Sequence, residues 1–127
     1  MKVLLDTPAL FWWFSDAAKL SKRAGSILAD SKNTILVSAA TAWELAIKVN
    51  LGKIDALSLV TELGRHADEE GFIELPINIE HATRAGLLPL HHRDPFDRLL
   101  VAQAQTINVP ILSGDRILDR YDVKRVW

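Results

Sequence analysis

Four short apolar runs are spaced along the chain: Lys2-Val3-Leu4-Leu5, Thr34-Ile35-Leu36-Val37, Phe72-Ile73-Glu74-Leu75 and Val109-Pro110-Ile111-Leu112, with Val123–Trp127 a candidate fifth. Their apolar character is continuous rather than alternating, which predicts strands buried on both faces, as in a parallel sheet. The segments between them repeat apolar positions at helical spacing. Helices are predicted over Ala18–Asp30, over Thr41–Leu51 on Trp43, Ile47 and Leu51, over Leu57–Glu70 with a stop at Gly71, and over Ile79–Leu87. Pro95–Ile107 is the clearest, with Phe96, Leu99, Leu100 and Ala104 in one stripe. Alternating strands and helices imply an α/β fold with helices on both sheet faces. Right-handed crossovers align the strand C-termini along one edge, and the ligand crevice of such folds lies beyond it.

Acids fall on that edge. Asp6 directly follows the first strand, and Glu44 lies in the first predicted turn of the helix after the second. Asp94 and Asp97 open the helix Asp94-Pro95-Phe96-Asp97, and Asp115 follows the fourth strand in Leu112-Ser113-Gly114-Asp115. Most of them have a purely structural reading. Thr41-x-x-Glu44 has the form of a capping box. Asp94 suits an N-cap before a proline at the first helical position. Asp97 suits the positive end of the helix dipole, and Asp115 suits the cap of a short helix over Arg116–Tyr121. Asp6 is harder to explain in that way, because a charge straight after Val3-Leu4-Leu5 is costly without compensation. Carboxylates converging on one crevice repel one another, so at least one takes up a proton unless a cation intervenes. A hard divalent ion prefers oxygen ligands, and it can activate a water and stabilise the leaving oxygen of a phosphodiester.

Composition narrows the chemistry further. The chain has 127 residues, 49% apolar and 24% charged, with no repeat, low-complexity tract or linker, as expected of one domain over residues 1–127. Fifteen Lys and Arg against 16 Asp and Glu give a net charge of −1, which excludes disorder and binding by bulk positive charge. With no cysteine, a disulfide scaffold, a thiolate zinc site and a cysteine nucleophile are excluded, leaving carboxylates as the metal-binding chemistry. No apolar run reaches the ~18 residues of a membrane span. The segment Val3–Phe14 lacks the basic start and cleavage site of a signal peptide. The expectation is a complete cytoplasmic protein starting at Met1, with no membrane partner.

The blocks Leu4-Leu5-Asp6-Thr7, Ser38 through Glu44, His92-Arg93-Asp94-Pro95-Phe96-Asp97-Arg98-Leu99-Leu100 and Leu112-Ser113-Gly114-Asp115 together resemble a PIN domain of the VapC toxin type, from bacterial toxin–antitoxin pairs. Their order and spacing run through nearly the whole chain. The resemblance implies a three-layer α/β/α sandwich with a small, mostly parallel sheet of four to five strands. It implies an endoribonuclease that depends on Mg²⁺, with Mn²⁺ as the other candidate ion. The catalytic and metal-binding roles carry over to Asp6, Glu44, Asp97 and Asp115. Asp6 and Asp97 are then the most direct ligands, and Glu44 and Asp115 complete the site directly or through waters. Thr7, Ser38 and Ser113 are supporting residues, Ser113 standing where the family often has Thr, and Asp94 touches the edge of the site. The implied partners are an RNA substrate, a cognate antitoxin covering the site, and a second copy in a homodimer and a toxin–antitoxin hetero-oligomer. Setting the four acids aside leaves 15 basic residues against 12 acids, a mildly basic surface around an acidic pocket.

Other features are weighed beside this reading. Lys48, Arg93, Arg98, Arg116 and Arg120 are candidate phosphate contacts, Arg98 and Arg116 above all because they adjoin the acids. His91-His92 is read as structural or surface, since hard-ion carboxylate sites rarely recruit imidazole. Phe11-Trp12-Trp13-Phe14 is read as core or oligomer interface ahead of a platform for stacking RNA bases. A phosphate-accepting receiver domain lacks its acidic pair and its late Lys here, and a haloacid-dehalogenase-type phosphatase would need Asp where Pro8 stands. A non-catalytic PIN-like interaction module is the alternative from a different class, and its acids would be dispensable.

Overall fold

In the computed structural model, which describes residues 1–127, β1 (Lys2–Leu5) is the central strand of a five-stranded sheet. The others are β2 (Thr34–Ser38), β3 (Ile73–Leu75), β4 (Ile111–Leu112) and β5 (Arg125–Val126), in the order β3-β2-β1-β4-β5 with every pair parallel. Leu4 pairs with Leu36 on one side and Ile111 on the other. Alternation along β1 feeds two cores. Val3 and Leu5 join Ile35, Val37 and Leu112 on one face. Leu4 joins Leu36 and Ile111 on the opposite face.

Seven helices cover the two faces: α1 (Thr7–Ser15), α2 (Lys22–Ala29), α3 (Ala39–Asn50), α4 (Leu57–Thr61), α5 (Leu63–Glu69), α6 (Ile79–Leu87) and α7 (Pro95–Ile107). Ala9 and Leu10 of α1, Ala24 and Leu28 of α2 and Leu63 and Ala67 of α5 fill the first core. Leu100, Val101 and Ala104 of α7 fill the second, which is the α/β/α layering expected. No helix is long and apolar enough to cross a membrane.

Several boundaries differ from the sequence reading, each for a local reason. Helix α1 is absent from it, because Ala9 through Phe14 is apolar all round and shows no stripe. Its start signals are Asp6 as N-cap and Pro8 in the first turn. Its aromatics Phe11-Trp12-Trp13-Phe14 are half-buried and pack against the first core. The predicted helix Ala18–Asp30 starts instead at Lys22, where the Ser21 hydroxyl caps the Ala24 amide at 3.0 Å. The predicted Leu57–Glu70 helix is two helices broken at Glu62, before which the Thr61 hydroxyl turns back onto the carbonyls of Leu57 and Ser58. Strand β3 is an edge strand with Ile73 half-exposed, so burial on both faces fails there.

The chain steps from β1 to β2 to β3 in one direction and returns to β4 and β5 on the other side of β1. The order therefore reverses between β1 and β4, and such a reversal opens a crevice at the strand C-termini. Asp6 leaves β1 and Ser113 leaves β4 on the two sides of that crevice, where the Asp6 amide donates to the Leu112 carbonyl at 3.1 Å.

Candidate metal centre

Asp6 is nearly fully buried. As N-cap of α1 its Oδ1 accepts from the Ala9 amide at 2.8 Å. Burial pushes its carboxyl up to about 6, the Ser113 hydroxyl and Ala9 amide pull it back, and the charges of Asp115 and Glu44 add to the rise. The Thr7 hydroxyl lies 3.2 Å from that of Thr41 and links α1 to α3.

Helix α3 begins earlier than predicted. Ser38 is its N-cap, accepting from the Ala40 amide at 3.0 Å, and the same hydroxyl donates to the buried Gln103 carboxamide of α7. The Thr41–Glu44 capping box therefore does not form, and Glu44 stands in the second turn with its side chain turned inward. Glu44 Oε2 pairs with Lys48 at 2.9 Å, so that lysine is engaged rather than free for phosphate. Glu44 Oε1 is the one buried side-chain polar atom with no hydrogen-bond partner.

Asp94 is the N-cap of α7 as predicted, accepting from the Phe96 amide at 2.8 Å. Asp97 is pushed up to about 7, first by burial, then by the charge of Asp94, with Asp6 and Glu44 adding; His92 alone works against the rise. Asp115 caps the 3-10 turn Arg116–Arg120 through Ile117 at 3.0 Å, and its own amide donates to the Ser113 hydroxyl at 3.0 Å.

The tightest grouping is Asp97, Asp115 and His92, which offer one ligand-type atom each within 4.8 Å of one another. His92 Nε2 lies 2.8 Å from Asp115 Oδ2 and 3.2 Å from Asp97 Oδ2. A surface place for His92 does not hold: the ring is shielded and stands between two of the acids. Only its neighbour His91 is exposed, edge-on to Tyr121. Asp6 and Glu44 lie outside this triplet and act on Asp97 through their charge.

Arg98, expected beside the acids as a phosphate contact, is turned away from them. Its buried guanidinium donates to the carbonyls of Ala85 at 2.8 Å, Gly86 at 3.3 Å, Leu88 at 3.1 Å and Pro89 at 3.0 Å, closing the C-terminal end of α6. Arg116 is exposed on the turn that Asp115 begins.

The donor set is almost all carboxylate oxygen, two of its acids hold their protons far above the ordinary range, and one buried carboxylate oxygen has no partner. These features fit a hard divalent cation, which would relieve the repulsion and supply the missing partner. The family model for the PIN domain matches residues 3–124. The chain belongs to the PIN-domain family.

Solved structures similar to this PIN domain include VapBC2 from Rickettsia felis bound to a DNA fragment from its promoter, at 14% identity and TM-score 0.71, covering 99% of this chain and 98% of that one. VapBC-1 from nontypeable Haemophilus influenzae matches at 17% identity and TM-score 0.68, covering 99% and 97%. A toxin–antitoxin complex from Klebsiella pneumoniae matches at 19% identity and TM-score 0.65, covering 98% and 96%. At these identities the likeness is one of fold. No curated protein sequence matches this PIN domain.

Proposed function

We propose that this PIN domain is a metal-dependent endoribonuclease acting as the toxin of a toxin–antitoxin pair in the cytoplasm. Asp6, Glu44, Asp97 and Asp115 are its catalytic, metal-holding residues, with Mg²⁺ or Mn²⁺ as the ion. The observation that carries the reading is the crowding of buried carboxylates at the sheet's switch point, with Glu44 Oε1 left unpartnered. A stable fold does not otherwise keep anions buried against one another. A hard divalent ion, when bound, supplies Lewis acidity to a phosphodiester oxygen and lowers the pKa of a water.

The chain's own residues prepare that place. Asp6 is pinned by the start of α1, Glu44 by the second turn of α3, Asp97 by the start of α7 and Asp115 by its 3-10 turn. Each carboxylate is thus presented from a rigid element. Thr7 ties α1 to α3 through Thr41, Ser113 links the Asp6 carboxyl to the Asp115 amide, Ser38 joins α3 to α7 through Gln103, and Asp94 holds the first turn that carries Asp97. Arg116, exposed beside Asp115, and the exposed Arg93 and Arg120 are the candidate phosphate contacts that keep their place in this reading. The family carries nuclease activity, and the similar structures are toxin–antitoxin complexes. These support an antitoxin partner and a toxin–antitoxin hetero-oligomer, and an RNA substrate and a homodimer are proposed with them.

The test is cleavage of a mixed RNA pool by the purified chain with Mg²⁺, with Mn²⁺ and with chelator. Cleavage that needs the metal and falls at least about 100-fold in Asp6→Asn and Asp97→Asn is the expected result. Equal cleavage by either variant overturns the assignment. A folded chain that neither cleaves nor binds Mn²⁺ is the non-catalytic interaction module instead.

A further inference from the structure

His92 is held from three directions. The Asp94 amide donates to its Nδ1 at 3.1 Å. Its own amide donates to the Tyr121 hydroxyl at 2.9 Å, and that hydroxyl donates to the Pro89 carbonyl at 2.7 Å. The third direction is the acids, Asp115 at 2.8 Å and Asp97 at 3.2 Å from Nε2. An amide N–H pointing at Nδ1 requires a lone pair there, so the proton of the neutral ring sits on Nε2. A protonated Nε2 has no lone pair for a cation and faces the carboxylates as a donor. Each carboxylate oxygen has two acceptor directions, so a hydrogen bond to Asp115 Oδ2 leaves a direction open on that oxygen. Asp115 Oδ1 is meanwhile held by the Ile117 amide at 3.0 Å. The Asp115 carboxylate is thus fixed at both oxygens, one by the backbone and one by the imidazole.

We propose that His92 is a positioning residue of the metal centre: its Nε2–H orients the carboxylate of Asp115 toward the ion, with Asp97 beside the same ring edge as a charge contact, and it is not itself a ligand. This rests on the reading of the acids as a metal site. Because the ring is anchored through Asp94 and Tyr121, it acts as a fixed donor and not as a side chain that must swing aside. Outer hydrogen bonds of this kind set the geometry of the ligands they touch, and losing one weakens metal binding by about 10–100-fold.

The experiment is calorimetric titration of Mn²⁺ into the full chain as wild type, His92→Ala and His92→Gln, with thermal melts of the metal-free proteins alongside. The expected result is a Kd about 10–100-fold weaker in His92→Ala. His92→Gln, whose carboxamide restores an N–H near the Nε2 position, recovers most of that loss. A merely structural role would lower the melting temperature without this split between the two variants. Should His92→Ala bind Mn²⁺ as tightly as wild type or more tightly, the proposal is overturned. The wild type alone supplies a second measurement, in case a variant fails to fold. Nitrogen-15 spectra of its imidazole should show Nε2 protonated both without metal and with Mg²⁺. A proton on Nδ1, or loss of the Nε2 proton when Mg²⁺ binds, overturns it as well. A folded wild type that binds no Mn²⁺ overturns the metal-site reading and this inference with it, an outcome distinct from a wild type that binds beside an unaffected His92→Ala.

Discussion

Asp97 and Arg98 are neighbours at the start of α7, both well shielded from water, and their surroundings are opposite. The Arg98 guanidinium meets four carbonyls of the α6 end and the loop after it. The Asp97 carboxyl is grouped with Asp115 and the His92 imidazole within 4.8 Å and feels the charges of Asp94, Asp6 and Glu44 as well, and burial and those charges hold its proton up to about 7. A buried charge whose hydrogen bonds are complete belongs to the architecture. A buried charge surrounded by its own sign leaves a place for a ligand. Consecutive helical residues point about 100° apart, which is how one turn serves both purposes.

The largest effect on stability is expected on the satisfied side. Arg98→Met removes the donor shared by four carbonyls, that of Ala85 buried with the guanidinium and the others partly shielded, at a cost of about 3 kcal/mol. For a chain of this size that lowers the melting temperature by roughly 10 °C. Thermal denaturation of the metal-free protein reads it directly. A variant melting within 2 °C of wild type would erase the distinction between the two neighbours.

The opposite sign is expected one residue earlier. Asp97→Asn removes a charge that the folded state resists, so at pH 8 the metal-free variant should be more stable than wild type by about 1–3 kcal/mol, even as metal binding is lost. Urea denaturation with and without Mn²⁺ separates the two consequences. A variant that is less stable without metal would mean that the Asp97 carboxylate is satisfied after all.

The same asymmetry has a pH signature. The Asp6 and Asp97 carboxyls, near 6 and 7 when folded, titrate near 3.9 in an unfolded chain. Between those limits the folded state holds protons that the unfolded state has released. Stability therefore falls as pH rises from about 4 to about 7 and levels off above. Melting temperatures of the metal-free protein should rise as the pH is lowered from 8 toward 5. Mg²⁺ should raise them most at the alkaline end, where the carboxylates are free to take it. A flat metal-free profile would show that neither burial nor the neighbouring acids raise these two carboxyls.

Much of this architecture is readable from residues alone, and the failures have physical causes. Strands β1 and β2 announce themselves as continuous apolar runs because both of their faces are covered. The start of α7 is legible in Asp94-Pro95, where cap and proline agree. Placing Asp6 and Asp115 at strand ends needs only the alternation of strand and helix. Helix α1 is missed because its residues are apolar on every side, so no periodicity survives. Arg98 is misassigned because adjacency to Asp97 in sequence is not adjacency in space on a helix. His92 is set aside by a rule about metal ligands, and that rule is silent about donors to ligands. The partner that gives His92 its role, Asp115, lies 23 residues away and is brought to it only by the folded chain.

The smallest effect is expected at Gly114, and it tests whether the acid side is as firmly held as the arginine side. A Cβ at this position would stand 3.1 Å from Trp127 Cε2 and 3.4 Å from two further indole atoms. Either the indole or the Ser113-Gly114-Asp115 turn must give way in Gly114→Ala. Trp127 is the last residue of the chain, half-buried and tilted against Trp12 at 6.1 Å between ring centroids. The turn is held by the Ser113 amide on the Val126 carbonyl at 3.1 Å, and Asp115 is held by Ile117 and His92. The indole is the weaker party and should shift by a few tenths of an ångström, at a cost of about 1 kcal/mol. Gly114→Ala is thus expected to melt a few degrees lower and to bind Mn²⁺ with unchanged affinity. A tenfold loss of affinity at the same small loss of stability would show that the turn, and Asp115 with it, moves first. The acid side would then owe its geometry to the packing of Trp127 rather than to the hydrogen bonds that converge on Asp115.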